Sequence, residues 1–393
     1  MAENKCMIKY AFIIFLISQS CLLGTNRDPI FLVHGFLGWG RDEVGKYYYW
    51  GGENDYESKL RDLGFNVHTL SVGPISSNWD RAVEAYTQIK GGCVDYGNSH
   101  SDKYGIIRKP KNKCYEGLYP QWDADNPIHL IGHSQGGVTI RMLEYLLNNK
   151  FDNEDSNLLK KSNKGWIKSV TSISAPHDGT TLSPIIMDIF PFAQYLSVWV
   201  GPIMNKVAKK KYRFDLEQWG ISPTEDKEST RFWKEIGKSK IKDSKNFCTW
   251  DLSLDGSKAF NSLYRTDENV YYFSFSTFST KKIKNSSYHK PTSKTVFMFR
   301  PAARLIGRSD AERPEWNMND SIVNTISMGA PTSGNHGPEP NEVFTGTPQK
   351  GVWQKINRIN ENHHSIVGVH VSKKKSEDIF KIYKKHCELL YTL

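Results

Sequence analysis

Short apolar runs alternate along the chain with stretches whose apolar positions recur every three or four residues. Apolar runs of this length predict strands, and the recurring positions predict amphipathic helices. In the stretch 78–90, Ala82, Ala85, Tyr86 and Ile89 share one helical face. The predicted strands are 29–34, 66–72, 128–132, 167–174 and 269–277, and the predicted helices are 78–90 and 138–147. This alternation is typical of an α/β protein with a mostly parallel central sheet flanked by helices.

Several stretches depart from this alternation. Residues 109–113, 152–164 and 332–346 are polar and predict loops. Residues 180–211 are instead unusually apolar and aromatic, and end in lysines. Two structures suit that composition. One is a pair of core helices, and the other is a mobile lid over about residues 180–212, whose apolar face covers an active site in water and turns to lipid at an interface.

The first 24 residues have the pattern of a secretory signal peptide. Lys5 and Lys9 precede an apolar run over residues 11–24, which is short for a membrane span. We expect cleavage after Ser20 or after Gly24, and an uncleaved anchor is the alternative. No later stretch is long and apolar enough to span a bilayer. The sequence therefore predicts a secreted protein, or one held in the lumen of the secretory pathway.

Composition and charge narrow the class of protein further. With 393 residues, 38% of them hydrophobic, the chain suits one large α/β domain or two domains, and we expect a single domain over residues 26–393. The net charge of +10 includes lysine clusters at 206–211, 281–284 and 373–375. Such clusters are usually solvated surface, and their functional interpretation is attraction to anionic lipid. Because no DNA- or RNA-binding motif accompanies the charge, we expect no nucleic-acid partner.

The cysteines suit an exported protein. An oxidising compartment allows disulfides to form and persist. Of Cys93, Cys114, Cys248 and Cys387, the first two are the closest pair along the chain. We therefore predict a Cys93–Cys114 disulfide, and free buried thiols are the alternative.

The most informative motif lies between the predicted strand 128–132 and the helix that follows it. Gly132-His133-Ser134-Gln135-Gly136 matches the G-x-S-x-G nucleophile elbow in the strand–turn–helix setting that the motif requires. The turn is sharp, so glycines are needed at both flanks, where a Cβ would clash. It holds the Ser134 hydroxyl at a helix N-terminus, where the helix dipole favours developing negative charge. The motif predicts a nucleophilic serine.

A serine hydroxyl becomes a good nucleophile only when a base takes its proton and an acid orients that base. In proteins with this elbow, the acid follows the serine and the histidine comes last. Asp320 lies in a loop that leads into an apolar pair and is the best candidate acid, with Asp310 as the alternative. His363 and His364 are adjacent candidates for the base, and the residues alone favour neither.

A serine nucleophile of this kind also needs two backbone N–H groups that form an oxyanion hole. Gln135, the residue after the nucleophile, should supply one of them. The other should come from the loop after the first predicted strand. The segment His34-Gly-Phe-Leu-Gly-Trp-Gly provides a glycine-bearing turn there, and Phe36 is the candidate donor.

Longer motifs extend the pattern over almost the whole chain. They are HGFLGWG at 34–40, YWGG at 49–52, VGPISSNWDR at 72–81, GGCVDYG at 91–97, EGLYP at 116–120, GHSQGG at 132–137, PHDGT at 176–180, FDLEQWG at 214–220 and NDSIVNT at 319–325. Together they resemble the thermoalkalophilic and staphylococcal bacterial lipases, which are secreted triacylglycerol lipases of the α/β-hydrolase fold. The resemblance runs from about Asp28 almost to the C-terminus.

The resemblance implies a role for each catalytic candidate. Ser134 would be the nucleophile and Asp320 the triad acid. His363 would be the base, because His364 falls where the family usually has an apolar residue.

Two further features of the family, the oxyanion hole and the lid, also match this sequence. Phe36 and Gln135 match the oxyanion-hole donors, and the apolar stretch at about 180–212 matches the lid region. The resemblance implies no cofactor for the chemistry itself. It implies a lipid ester as the partner, contacted at a lipid–water interface.

The chain departs from the family at its zinc site. Asp80, His100 and Asp251 are possible zinc ligands, although their spacing alone is no evidence for a metal. They fall on three of the four positions, two Asp and two His, that hold zinc in the family, and Ile106 occupies the fourth. Structural zinc prefers four ligands, so we expect binding to be considerably weakened. As a hypothesis, the predicted Cys93–Cys114 disulfide, which spans the insertion 93–114 that contains His100 and Ile106, replaces part of the metal's role as a staple.

Two departures lie near the triad. Ser365 and His370 stand where the family places acidic calcium ligands. Calcium prefers carboxylate oxygens, so we expect no calcium site of the family type. Ser321 follows Asp320 where the family commonly has glycine, and we expect the turn to tolerate it.

These observations predict a secreted serine hydrolase that acts on lipid esters, most simply acylglycerols. A phospholipase, a carboxylesterase and an acyltransferase are alternatives that would use the same triad. A catalytically inactive, lipid-binding relative is an alternative of another class. The intact set of Ser134, Asp320 and His363 argues against that last one.

Overall fold

The computed structural model describes residues 26–183, 213–221, 241, 244–310 and 312–393. The predicted signal peptide and residues 184–212 of the predicted lid lie outside the described residues. The described strands are β1 Ile30–Val33, β2 Val67–Leu70, β3 Gly92–Cys93, β4 Cys114–Tyr115, β5 Ile128–His133, β6 Ile167–Ile173, β7 Tyr271–Thr277, β8 Thr280–Lys282, β9 His289–Pro291, β10 Asn341–Val343 and β11 Trp353–Ile359. The described helices are α1 Tyr56–Asp62, α2 Asn78–Lys90, α3 Asn98–Tyr104, α4 Gln135–Asn148, α5 Cys248–Asp251, α6 Leu254–Leu263, α7 Arg300–Ile306 and α8 Lys373–Leu390.

Seven of the described strands form one sheet in the order β10-β11-β7-β6-β5-β1-β2, and every neighbouring pair is parallel. β1 and β5 are buried along their whole length. Parallel strands covered on both faces need apolar side chains at successive positions, which is why these two segments have continuous apolar sequences. The predicted parallel sheet flanked by helices is confirmed.

Helices cover both faces of this sheet. Side chains alternate across a strand, so Phe31 and Val33 of β1 pack in one core with residues of α2 and α4. Ile30 and Leu32 of the same strand face the other way and pack with residues of α1 and α8. The helix α2 has the predicted bounds, 78–90, and begins at Ser77, whose hydroxyl accepts a hydrogen bond from the backbone N–H of Asp80.

One of the loop predictions is wrong. The stretch 332–346 contains the strand β10, which pairs with β11 at the edge of the sheet. Its sequence, Asn341-Glu-Val, is largely exposed, so no apolar run marks it. Main-chain hydrogen bonds to β11 define this strand, and the pattern of side chains does not reveal them.

Two short antiparallel pairs stand outside the main sheet. β3 and β4 are joined by a disulfide between Cys93 and Cys114, which confirms the predicted pairing. Cys248 and Cys387 are buried free thiols. β8 and β9 form a hairpin next to α7, with the N–H of His289 donating to the carbonyl of Gly307. Among the described residues, no helix combines the length and apolarity that a membrane span requires.

Candidate active site

The nucleophile elbow connects the end of β5 to the start of α4. Ser134 adopts φ 56° and ψ −128°, a conformation that an L-residue rarely takes. The backbone on either side is so close that an added Cβ on Gly132 would lie 2.3 Å from the carbonyl oxygen of Gly136, and one on Gly136 would lie 2.1 Å from that of Val33. Glycine is therefore required at both positions, and the turn projects Ser134 from the N-terminus of α4.

His363 lies against this serine. It follows β11, and its Nε2 is 2.8 Å from Oγ of Ser134. Its Nδ1 is 2.7 Å from Oδ2 of Asp320. With a proton on Nδ1, the imidazole donates to the carboxylate, and Nε2 is left to accept the serine proton. Because parallel strands end at the same edge of the sheet, residues far apart in sequence meet here.

Asp320 is fully buried and held by several donors. Oδ2 accepts from the hydroxyl of Thr277 at 2.7 Å as well as from the imidazole. Oδ1 accepts from the backbone N–H groups of Ile322 and Val323. The carbonyl of Asp320 accepts from the N–H of His363. This set of donors satisfies a buried carboxylate and fixes its orientation toward the imidazole.

The alternative candidates lie elsewhere. The ring of His364 stacks on Phe299, with centroids 4.6 Å apart. Asp310 is bound to Arg313, its neighbour in an exposed turn. Desolvation by burial lowers the pKa of His364 well below its usual range, and the charge that His363 acquires on protonation would lower it further. His364 therefore stays neutral and does not place a second positive charge beside the imidazole of His363.

The loop after β1 approaches the serine from the other side. An added Cβ on Gly35 would lie 2.7 Å from Cβ of Ser134, so the Gly35–Phe36 segment borders the nucleophile. Gln135 is the first residue of α4, and the N–H groups of a first helical turn have no acceptor within the helix. The two predicted oxyanion donors thus belong to segments that flank Ser134.

Two residues of the site were not predicted from the sequence. The hydroxyl of Tyr49 accepts from the N–H of Gly35 at 2.9 Å and lies 2.6 Å from Nδ1 of His133. Tyr49 therefore links the oxyanion loop to the residue before the nucleophile. Thr277 binds Asp320 as described above. Tyr49 belongs to the recognised motif at 49–52, whereas Thr277 only ends a strand and carries no such signal.

The comparisons with known proteins agree with this geometry. The family described as "Lipase-like, C-terminal domain" matches residues 26–391. The chain belongs to this family. It is 34% identical over 348 residues to "Lipase 1" of Staphylococcus aureus, which covers 84% of this chain and 49% of that protein. The chain thus spans about half the length of the curated relatives it matches.

Two solved structures extend the likeness to the fold. EstA from Clostridium botulinum superimposes with a TM-score of 0.85 at 35% identity, over 94% of this chain and 88% of that one. Lipase 1 from Pelosinus fermentans superimposes with a TM-score of 0.80 at 34% identity, over 94% and 99%. This member of the lipase-like family therefore has the predicted α/β-hydrolase fold.

The residues at the zinc position of the family have other partners in this chain. Nε2 of His100 is 3.1 Å from Oδ1 of Asp80. Oδ2 of Asp80 accepts from the side-chain amides of Gln218 and Asn246. The Oδ2 atom of Asp251 accepts a hydrogen bond from the N–H of Asn78, on the first turn of α2. Both oxygens of Asp80 thus have contacts that belong to the protein itself.

These residues do not fit the zinc site that the resemblance implies. Ile106, at the fourth position, offers no donor atom, and the ring of His100 is packed between Trp79 and Tyr104. Within the described ranges, no three His, Cys, Asp or Glu side chains are grouped so as to hold a metal ion.

A buried lysine pairs with Glu84, which lies one helical turn after Asp80 on α2. Nζ of Lys113 is 2.8 Å from Glu84 and 3.4 Å from Glu217. Burial alone would lower the pKa of Lys113, but the carboxylates of Glu84, Asp215 and Glu217 outweigh it and raise the pKa. A charged ammonium therefore joins α2, the β3–β4 insertion and the segment 214–220. Cys114, the next residue, adds the disulfide across the same insertion.

The calcium position has likewise changed. The hydroxyl of Ser365 donates to Glu361, and the N–H of His370 donates to the hydroxyl of Tyr47. Neither residue supplies a carboxylate, so the implied calcium ligands are not matched. Glu361 is in turn paired with two lysines, Lys294 and Lys375.

Proposed function

We propose that this chain is a secreted serine hydrolase that cleaves the ester bonds of acylglycerol-type lipids. The observation that carries the proposal is the hydrogen-bonded series from Oγ of Ser134 through His363 to Asp320, with contacts of 2.8 and 2.7 Å. Membership of the lipase-like family supports the same conclusion. In this proposal Ser134 is the nucleophile, His363 the general base and Asp320 the residue that orients the base.

The reaction proceeds in two halves. Nε2 of His363 takes the proton of Ser134 as Oγ attacks the acyl carbonyl, and the charged imidazole is stabilised by Asp320. The alcohol then leaves with the proton from His363, and an acyl-enzyme remains. Water repeats the sequence, so the acid departs and the free serine is restored.

The backbone N–H groups of Phe36 and Gln135 stabilise the oxyanion. Donors that are fixed before the reaction stabilise developing charge without reorganisation during it. The loop carrying Phe36 is held by Tyr49, which binds the N–H of Gly35. Gln135 is held by α4 and by its own side chain, whose amide donates to the carbonyl of Ser76.

The remaining parts of the proposal concern substrate, domain and location. Relatives and solved structures named as lipases support a lipid ester as substrate. We place one hydrolase domain over residues 26–393, with the stretch at about 180–212 as its lid. The apolar run at 11–24 supports export by a signal peptide. The proposed triad chemistry requires no cofactor.

A substrate panel tests the proposal. Purified protein should hydrolyse emulsified triacylglycerol, and Ser134→Ala should lower that rate by about 10⁴-fold or more while the protein stays folded. Comparison with phospholipids, short-chain esters and an acceptor alcohol separates the lipase from its alternatives. Equal activity of Ser134→Ala and the unaltered protein would refute the proposed nucleophile. No activity in folded wild-type protein toward any ester would favour an inactive, lipid-binding relative.

A further inference from the structure

An apolar stripe lies on the surface beside the catalytic loop. Phe297 has 81% of its surface accessible, more than any other large apolar side chain among the described residues. It lies in a 3-10 turn, Phe297–Phe299, which runs directly into α7. Phe297, Pro301 and Leu305 are spaced by four residues and are all exposed. They therefore project from one side of this helical segment.

Basic side chains surround this stripe. Arg300, Arg304 and Arg308 are also spaced by four residues and lie beside it. The hairpin β8–β9, bonded to the end of α7, contributes further exposed lysines, which are Lys281, Lys282, Lys284 and Lys290. We call the surface formed by residues 281–308 the basic ridge.

The charge of the basic ridge is poorly neutralised. Residues 280–320 contain nine Lys or Arg and four Asp or Glu, one of which is the buried Asp320. Their net charge of +5 is half of the charge of the whole chain, +10. In this segment only Lys294 and Arg313 are in ion pairs with carboxylates of the described residues. No carboxylate of the described residues forms an ion pair with the other seven cations of this segment.

The basic ridge is attached to the loop that carries the catalytic histidine. The amide of Asn362 donates to the carbonyl of Lys294 at 2.8 Å. Nζ of Lys294 lies 3.4 Å from Glu361, and Phe299 stacks on His364. A surface bound by the ridge would therefore lie close to His363.

We propose that the basic ridge docks the enzyme on anionic lipid surfaces, with Phe297 inserted among the lipids. A helical segment with an apolar side and flanking cations binds lipid interfaces through burial of apolar area plus attraction to anionic headgroups. Arginines beside the stripe can keep their charges at headgroup level while their alkyl parts stay near the apolar boundary. This inference rests on the proposed function, because it names the surface that brings the active site to lipid.

Vesicle binding tests the proposal. The full chain carrying Ser134→Ala, which prevents hydrolysis during the measurement, is sedimented with vesicles of phosphatidylcholine containing about 30% phosphatidylglycerol. Phe297→Ser, and separately the pair Arg304→Gln and Arg308→Gln, should each lower the partition coefficient by about tenfold. Binding should fall with added salt and with removal of phosphatidylglycerol, since screening weakens attraction between exposed charges.

Matched controls lie ahead of strands β6 and β7, at the end of the sheet where these strands begin. Leu263, 63% exposed, ends α6 ahead of β7, and Lys160 and Lys161 are exposed ahead of β6. Leu263→Ser, and the pair Lys160→Gln and Lys161→Gln, should change binding less than twofold. Equal losses in ridge and control variants would overturn the proposal, and so would unchanged binding of the ridge variants. Wild-type protein that does not bind anionic vesicles at low salt would overturn it too.

A second measurement separates this inference from the proposed function. With Ser134 restored, the ridge variants should hydrolyse a soluble short-chain ester within twofold of the wild-type rate. Loss of vesicle binding with that rate retained supports the ridge. Hydrolysis that is retained in Ser134→Ala would refute the proposed nucleophile, whatever the vesicles show.

Discussion

The candidate triad retains all of its residues in this chain, whereas the zinc position of the family does not. At the triad, the serine, histidine and aspartate are present, and their reacting atoms lie within hydrogen-bond distance of one another. At the zinc position, one of four ligands is replaced by Ile106, and Asp80 is bound by side-chain amides. Both regions lie within residues 26–391, which one family model matches, so we attribute the difference to what each region must do.

Catalysis depends on particular atoms at particular distances, because proton transfer needs a base within reach of the nucleophile. A structural site only has to hold chain segments together. Hydrogen bonds, an ion pair and a disulfide can do that as well as a metal. In this chain the amide of Gln218 on Asp80 and the ammonium of Lys113 both join α2 to the segment 214–220, and the Cys93–Cys114 bond joins β3 to β4 next to Lys113.

The largest change in this comparison should come from Asp320→Asn. The amide would leave the imidazole of His363 without its carboxylate partner and favour the wrong tautomer, so kcat should fall about 10³- to 10⁴-fold. Hydrolysis of a soluble ester measures this. Asp310→Asn is the matched control and should change kcat less than twofold. A small effect of Asp320→Asn would contradict the assignment of the acid.

Tyr49→Phe should have a smaller effect on the same rate. Loss of the hydroxyl leaves the N–H of Gly35 without its acceptor and loosens the oxyanion loop, so kcat should fall about tenfold with little change in KM. Tyr56→Phe, which removes another buried hydroxyl that binds Ser376, is the control for general loss of stability. If the two variants have equal activity, Tyr49 has no positioning role.

Removal of the disulfide should affect stability and spare the chemistry. Cys93 and Cys114 are 21 residues apart, and chain entropy predicts a loss of about 3 kcal/mol in the free energy of unfolding for Cys93→Ser with Cys114→Ser. Thermal unfolding should show a Tm about 5 °C lower. The kcat at 25 °C should stay within twofold. An unchanged Tm would show that the bond does not staple the insertion.

The smallest effect is expected from metal removal. Because the residues at the zinc position do not form a four-ligand site, dialysis against a chelator should lower Tm by less than about 1 °C. Metal analysis by mass spectrometry should find far less than one zinc per chain. A fall of several degrees in Tm that is reversed when zinc is added back would show that this position does bind a stabilising metal.

The fold and most of the candidate site could be predicted from the sequence because they depend on local signals. Buried parallel strands produce apolar runs, and the elbow needs glycines at fixed positions. His363 and His364 could be separated only by the resemblance, since the difference between them is one of orientation. The roles of Thr277 and Lys113 depend on partners far away in sequence, Asp320 and Glu217, and no pattern around either residue reveals those contacts.

The most direct test of the account is the rate at which a fluorophosphonate labels Ser134. Mass spectrometry of the labelled protein should place the adduct on Ser134, and labelling should be slowed by orders of magnitude in His363→Ala. His364→Ala should be labelled at nearly the wild-type rate, because its ring stacks on Phe299, whereas it is Nε2 of His363 that lies 2.8 Å from Oγ of Ser134. Rapid labelling of His363→Ala, or loss of labelling only in His364→Ala, would contradict the triad.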